Sequence, residues 1–157
     1  MNIFILDEDP VIAARMLCDR HIPKMIVESA QMLSTAHRLL DGSPTKRRSR
    51  SGKTIQTYYE FKDMRDELYY TAVHKHHPCT TWTMASIENY NWHYGHFAEM
   101  SKEFTFRRQK KHATWEKIGM ILAAPPINIP KIKRTEFAQA MSHYPECKVE
   151  GDAVQAY

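Results

Sequence analysis

One stretch of the chain, residues 24–40, reverses the polarity pattern of an ordinary surface helix. Wound at about 100° per residue, its polar side chains fall within a stripe of roughly 80°. These side chains are Lys24, Glu28, Gln31, Thr35 and Arg38. Because most of the remaining circumference is apolar or small, other elements have to surround such a helix. The pattern predicts a helix that begins near Lys24, ends at Asp41-Gly42 and lies at the centre of a helical core.

The whole chain is expected to fold as one mainly α-helical, compact domain over residues 1–157. Its length suits a single domain, and 43% hydrophobic with 25% charged residues is typical of a globular protein with a buried core. The apolar run at residues 2–6 is compatible with a short N-terminal strand. Asp9-Pro10 predicts the start of a helix. Residues 43–54, rich in serine and basic side chains, predict a flexible basic loop.

A second long helix is predicted over residues 81–107, after the pair His77-Pro78. One narrow face of this helix carries Ser86, Asn89, His93 and His96, and aromatic residues border that face. If the polar faces of the two helices meet, they form a polar cleft inside the helical core. The candidate ligand-binding residues are His21, Gln31, Arg38, His77, Asn89, His93 and His96.

Lys24 and Glu28 are the candidate catalytic residues. They lie four positions apart on one helix, so their side chains can pair, and burial can change the pKa of either group. Such a pair can act as acid and base, or it can anchor the phosphate and the base edge of a ligand. The alternative interpretation is a structural ion pair within the helix.

Positive charge is concentrated in two short segments. Five basic residues and no acid lie between Gly42 and Thr57, so of the net charge of +4 the rest of the chain carries −1. The second segment is Arg107–Lys111. This pattern predicts nucleic acid or a nucleotide as the partner, while solvated surface segments are the alternative. The candidate phosphate-binding residues are Arg47, Arg48, Arg50 and Lys53.

The sequence disfavours several other kinds of site. His74, His76 and His77 precede Cys79, but adjacent histidines diverge and no metal-binding motif is present, so no metal site is predicted. Glycine-rich phosphate loops are absent, and no cofactor is predicted. Three widely spaced cysteines indicate a reducing compartment, and no run of 18 apolar residues suggests a membrane span. The expected location is the cytoplasm, with no membrane partner.

Four segments of the chain resemble a family of small uncharacterised phage proteins. They are residues 19–36 (DRHIPKMIVESAQMLSTA), His77-Pro78, residues 82–92 (WTMASIENYNW) and residues 137–141 (FAQAM). The resemblance covers most of the chain except the basic segment at 43–54. It implies a viral origin and therefore the cytoplasm of the host cell.

The chain also resembles, more distantly, the endonuclease V type of pyrimidine-dimer DNA glycosylases. Members of that family are small, basic and helical, with a catalytic glutamate on an early helix and a His-Pro before a long helix. Met1–Phe4, Glu28 and His77-Pro78 occupy comparable places here. In that family the N-terminal α-amine attacks the sugar C1′ and the glutamate supports the imine chemistry.

The chain departs from that family at its second residue. Asn2 is too large for ordinary removal of the initiator methionine, so the amine expected at that place is that of Met1 itself. An α-amine titrates near pH 8 and is a plausible nucleophile at neutral pH. Either the chemistry has changed, or the scaffold now binds rather than cuts.

Three functional hypotheses follow from these observations. The first is a phage-encoded DNA glycosylase/lyase-like enzyme, with Glu28 as acid and base and Lys24 in the electrophilic or imine-forming role. The second is a non-enzymatic binder that sequesters a nucleotide signal or inhibits a host factor. The third is an interaction protein whose polar stripes are satisfied core contacts. The sequence leaves the oligomeric state open.

Overall fold

The computed structural model describes residues 1–49 and 51–157, and it confirms the mainly α-helical class. The helices are α1 (Pro10–Met16), α2 (His21–Asp41), α3 (Arg65–Leu68), α4 (Pro78–Ala85), α5 (Ile87–Arg108) and α6 (Ala153–Ala156). Short π and 3₁₀ turns lie at Trp115–Gly119, Ile121–Ala123 and Pro145–Cys147. Residues 1–6 form neither a helix nor a strand, so the N-terminal strand is not formed. No helix among the described residues is long and apolar enough to cross a bilayer.

Helix α2 is the centre of the molecule and packs against both α4 and α5. From Ser29 to Arg38 every residue except Gln31 is buried, as the polarity pattern predicts. The helix begins at His21, three residues earlier than predicted. Pro23 does not break it, because proline at the third position loses no hydrogen bond that the first turn would have made.

The predicted helix over residues 81–107 is in fact two helices. Ser86 is extended (φ −154°, ψ 158°), which ends α4, and its hydroxyl accepts a hydrogen bond from the Asn89 backbone N–H and so caps α5. Helix α4 begins at Pro78, three residues before the predicted start at residue 81. It is capped by the His77 imidazole, which accepts from the Cys79 backbone N–H at 3.3 Å, with Pro78 at the first helical position.

Two hydrophobic clusters flank α2. The larger one joins α2 and α5 around Ile26, Leu33, Tyr90 and Phe97. The smaller one gathers the N-terminal segment, Met32 and the two tryptophans Trp82 and Trp92, with Phe137 packed against them. Residues 134–141, which carry Phe137, form an irregular strap. Three backbone N–H groups of this strap donate to side chains of other elements, those of Glu88, Asn89 and Tyr157, rather than to carbonyls of a helix.

The segment predicted as a flexible basic loop is largely a β-hairpin. Strand β1 (Ser43–Arg48) pairs antiparallel with β2 (Ile55–Glu60). The turn is closed by a hydrogen bond from the Ser49 N–H to the Thr54 carbonyl, at 2.7 Å. Serine and glycine content favours a loop over residues 43–54, because it cannot report the long-range pairing that makes residues 43–48 a strand.

Arg38 attaches the base of this hairpin to α2. Its five N–H groups make five hydrogen bonds of 2.7–2.8 Å. The acceptors are the carbonyls of Tyr59, Asp66, Tyr69 and Tyr70 and one carboxylate oxygen of Asp66. The guanidinium is buried and has no donor left for a ligand, so the predicted ligand-binding role of Arg38 is wrong. Its role in this structure is to hold the segment 59–70.

Replacing Arg38 with alanine should destabilise the fold strongly. The substitution leaves buried carbonyls and a carboxylate without donors, and breaking such buried charged networks costs about 3–5 kcal/mol. The free energy of unfolding, measured by urea titration, should fall by this amount in Arg38→Ala. Arg108→Ala, at an exposed position of α5, is the control and should change it by less than about 0.5 kcal/mol. Equal stability of the two variants would contradict this assignment.

Candidate functional site

The Glu28 carboxylate lies between two amines. Its Oε2 atom is 3.6 Å from the α-amino nitrogen of Met1 and accepts a hydrogen bond from the Asn2 backbone N–H at 3.2 Å. Its Oε1 atom is 3.5 Å from Lys24 Nζ, one turn earlier on α2. The Glu28 side chain is 14% exposed, whereas that of Lys24 is 70% exposed. The carboxylate is therefore sheltered within the protein, and one of its two amines reaches solvent.

Asn2 fixes the start of the chain against Glu28. Its Oδ1 atom accepts hydrogen bonds from the backbone N–H groups of Ile3 and Phe4, at 2.8 and 3.3 Å, and from the hydroxyl of Tyr157 at 2.8 Å. The thiol of Cys79 lies 3.7 Å from the same atom. The side chain of Ile3 is buried in the smaller cluster. Together these contacts hold the Met1 amine at the carboxylate.

Phe4 occupies a left-handed backbone conformation (φ 56°) beside this site. Its ring stacks on the His21 imidazole, with centroids 5.0 Å apart and planes inclined by 7°. Non-glycine residues adopt positive φ rarely, and such conformations persist only where surrounding contacts enforce them. The predicted site residue His21 is thus brought to the same region as Glu28 through Phe4.

His77 and Cys79 complete the surroundings of the Met1 amine. Partial burial, the positive α-amino group and His74 lower the pKa of His77, so its Nδ1 atom can act as the acceptor that caps α4. Burial raises the pKa of the Cys79 thiol to about 11. The thiol therefore stays protonated at neutral pH and is a poor nucleophile there. The groups suited to react at this site are the carboxylate and the amines.

A concave pocket of ≈ 380 Å³ opens beside Asn2 and Phe4. Its other walls include Met141, Tyr144 and Tyr157, which come from the C-terminal part of the chain. Asn2 links the pocket to the carboxylate, since its backbone N–H contacts Glu28 while the residue lines the pocket. Sequence reasoning missed Asn2 and Tyr157. The polar Asn2 within an apolar run was the one available signal, whereas the C-terminal residues show no pattern.

The polar face of α5 does not form the predicted cleft with α2. Asn89, His93 and His96 are completely buried, and none of them lines a pocket described in residues 1–49 and 51–157. The Asn89 side chain is used by the strap, because it donates to the Thr135 hydroxyl and accepts from the Thr135 N–H. The ligand-binding role predicted for these three residues is therefore wrong. The Asn89 side chain has its hydrogen-bond partners within the protein, and the rings of His93 and His96 are enclosed in the core.

His93 makes one hydrogen bond, which fixes its tautomer. The Thr83 hydroxyl donates to the Cys79 carbonyl at 2.8 Å, so it accepts from His93 Nδ1 at 2.8 Å. Among the described residues, His93 Nε2 and both ring nitrogens of His96 have no hydrogen-bond partner. His96 instead stacks on Trp92, with centroids 5.3 Å apart. Both rings are enclosed in a setting that strongly disfavours a positive charge.

The remaining predicted site residues differ in their distance from Glu28 and in their exposure to solvent. Gln31 is half-buried on α2, one turn after Glu28. Arg47 is paired with Glu60, while Arg48 and Lys53 are exposed on the hairpin. Arg50 lies outside the described residues. Among those described, no three His, Cys, Asp or Glu side chains, those of His74, His76 and His77 included, are grouped closely enough to hold a metal ion.

The buried histidines should make the fold sensitive to acid. Burial lowers the pKa of His93 and of His96 to about 3, whereas in the unfolded chain each titrates near 6.5. The unfolded state thus binds more protons between these values. The free energy of unfolding should fall below pH 6.5 by about 1.4 kcal/mol per pH unit for each histidine.

His96→Gln tests this dependence. Urea titrations between pH 7 and pH 4.5 should give a slope of unfolding free energy against pH that is smaller by about 1.4 kcal/mol per pH unit than in the wild type. His143→Gln, at an exposed position, should leave the slope unchanged. Parallel pH profiles for all three proteins would refute the prediction that His96 is held neutral.

Comparisons of the chain with protein-family profiles, with curated proteins and with solved structures find no match. The functional argument therefore depends on the geometry of this chain alone. That geometry offers a sheltered carboxylate between two amines, an adjoining pocket lined by aromatic and apolar side chains, and a basic hairpin projecting from the helical body.

Proposed function

We propose that this protein acts on nucleic acid as a DNA glycosylase/lyase-like enzyme, with Glu28 as acid and base and Lys24 as the imine-forming amine. The observation that carries the proposal is the sheltered carboxylate with two amines within 3.6 Å. A structural ion pair requires only one amine beside the carboxylate, and the Met1 α-amine already meets that need. Imine chemistry requires an exposed amine as the nucleophile and a carboxylate that exchanges a proton with this amine, as Lys24 and Glu28 provide. The phage origin implied by resemblance belongs to the same proposal.

The chemistry follows from the two groups. Glu28 takes a proton from the Lys24 ammonium, and the freed nitrogen lone pair attacks C1′ of a deoxyribose. The bond from C1′ to the base breaks, and the base leaves with the electron pair and the proton that Glu28 returns. The second amine proton passes to O4′ as the sugar ring opens, which leaves a C=N bond between C1′ and Lys24. At an abasic sugar the aldehyde oxygen leaves as water instead.

Exposure supports Lys24 as the attacking amine. Its side chain is 70% exposed, while the Met1 side chain beside the α-amine is 4% exposed. A DNA sugar can approach Lys24 from solvent without displacing the N-terminal segment. The Met1 α-amine lies 3.6 Å from Glu28 Oε2, on the side of the carboxylate that the N-terminal segment encloses. The pocket beside Asn2 and Phe4 offers apolar walls for the departing base.

Reductive trapping tests the enzyme proposal directly. Incubation with an abasic duplex and borohydride should yield a covalent protein–DNA adduct, and peptide mapping should locate it at Lys24. Lys24→Gln should abolish the Lys24 adduct. Glu28→Gln should slow its formation by about 10²–10⁴-fold, because it removes the group that exchanges the proton.

The chain contains a matched control for Lys24. Lys102 is also an exposed lysine beside a sheltered carboxylate, 3.0 Å from Glu99 on α5. Lys102→Gln should trap as much DNA as the wild type. An adduct mapped to the α-amine of Met1 would reassign the nucleophile while keeping Glu28. No adduct and no strand scission on abasic or dimer-containing duplex would overturn the enzyme proposal and favour the non-enzymatic binder.

A further inference from the structure

The hairpin of β1 and β2 projects from the helical body. All residues of β1 are exposed, as are Ile55, Gln56 and Thr57 of β2. Only residues 58–60, at the end of β2 held by Arg38, are half-buried. A two-stranded ribbon of this kind does not contribute its faces to a core, so its side chains are available to a partner.

The strand register divides the hairpin into two faces. Residues directly opposite one another in an antiparallel pair point to the same side, and neighbours along a strand alternate. The first face therefore carries Pro44, Lys46, Arg48, Ile55, Thr57 and Tyr59. The second face carries Ser43, Thr45, Arg47, Gln56, Tyr58 and Glu60.

The second face is internally neutralised. The Arg47 guanidinium is 3.0 Å from the Glu60 carboxylate and lies 4.2 Å from the centroid of the Tyr58 ring. The cation of this face thus has an acid and an aromatic ring as partners within the hairpin. A polyanion would have to compete with Glu60 for Arg47.

The first face is cationic and contains no acid. Lys46 and Arg48 are both exposed on β1. Lys75, from the segment before α4, extends the charge toward the helical body, because its Nζ lies 5.1 Å from the centroid of the Tyr59 ring. At the far end Ile55 is 73% exposed. Three cations and one apolar side chain therefore line one side of a narrow projection.

We infer that the first face of the hairpin enters the major groove of duplex DNA, an inference that rests on the proposed function. The major groove is about 12 Å wide and admits a two-stranded antiparallel ribbon. Strands about 4.8 Å apart and six residues long give a ribbon that fits this groove over about 20 Å. Lys46 and Arg48 face phosphates and base edges, Lys75 contacts a flanking phosphate, and the neutral second face points away from the DNA.

The aromatic content of the first face favours a duplex over a single strand. Proteins that bind single strands stack bases on uncovered aromatic rings. The only ring on the first face is Tyr59, and Lys75 lies over it. The face thus offers charge and a slim profile rather than a stacking platform.

Substitutions on the two faces test the inference by fluorescence anisotropy with an unmodified duplex. The double variant Lys46→Gln, Arg48→Gln should weaken binding at least tenfold at about 0.1 M salt and reduce the slope of log K against log salt by about 2. Arg47→Gln, one residue away on the second face, should change affinity less than twofold. Equal losses on both faces would overturn the inference, as would equal losses for the single strand and the duplex.

A chemical footprint assigns the groove. Dimethyl sulfate methylates guanine N7 in the major groove and adenine N3 in the minor groove. Wild-type protein should protect guanine N7, and the double variant should not. Protection confined to adenine N3 would overturn the major-groove assignment.

The two proposals can fail separately. Lys102→Gln should bind the duplex as the wild type does, because Lys102 lies neither on the hairpin nor at the Glu28 site. At saturating DNA the hairpin double variant should still form the borohydride adduct. Face-specific binding without any adduct would overturn the enzyme proposal alone, whereas an adduct with no effect of the hairpin substitutions would overturn the groove inference alone.

Discussion

The burial of α2 brings three polar side chains of its stripe, those of Glu28, Thr35 and Arg38, to partners inside the protein. Each of these three side chains contacts a segment outside the long helices α2 and α5. Arg38 binds the carbonyls of Tyr59, Asp66, Tyr69 and Tyr70, and Thr35 accepts a hydrogen bond from the N–H of Val73. Glu28 binds the N terminus of the chain. The stripe thus positions the base of the hairpin, the approach to α4 and the candidate site along a single helix.

The polarity of residues 24–40 predicts the burial of α2, and Asp9-Pro10 predicts the start of α1, because both signals are local. Asp9 does cap that helix, accepting from the N–H groups of Val11 and Ile12. The pattern cannot tell whether a polar side chain serves the fold or a ligand. Arg38 and Asn89 look alike as candidates in the sequence, yet both are used by distant backbone segments. Those partners lie more than 20 positions away, where periodicity carries no information.

The same limit explains which part of the candidate site could be predicted. The Lys24–Glu28 pair depends on helical spacing alone, so the sequence predicts it correctly. The contribution of Asn2 and Tyr157 depends on the contact between the two ends of the chain, because these residues are 155 positions apart in sequence. Likewise, the two faces of the hairpin depend on a register that no single strand specifies.

The protonation states of the buried groups narrow the chemistry that the protein can support. Burial keeps His93 and His96 neutral, and it keeps the Cys79 thiol protonated. These groups are the ones that hydrolases ordinarily use as bases and nucleophiles, and here the fold holds them in unreactive forms. Glu28 differs because its partners are amines, one of which is accessible from solvent. A carboxylate beside an exposed amine is the arrangement that the proposed imine chemistry uses, and the role proposed for the basic hairpin is to contact the phosphates of the DNA.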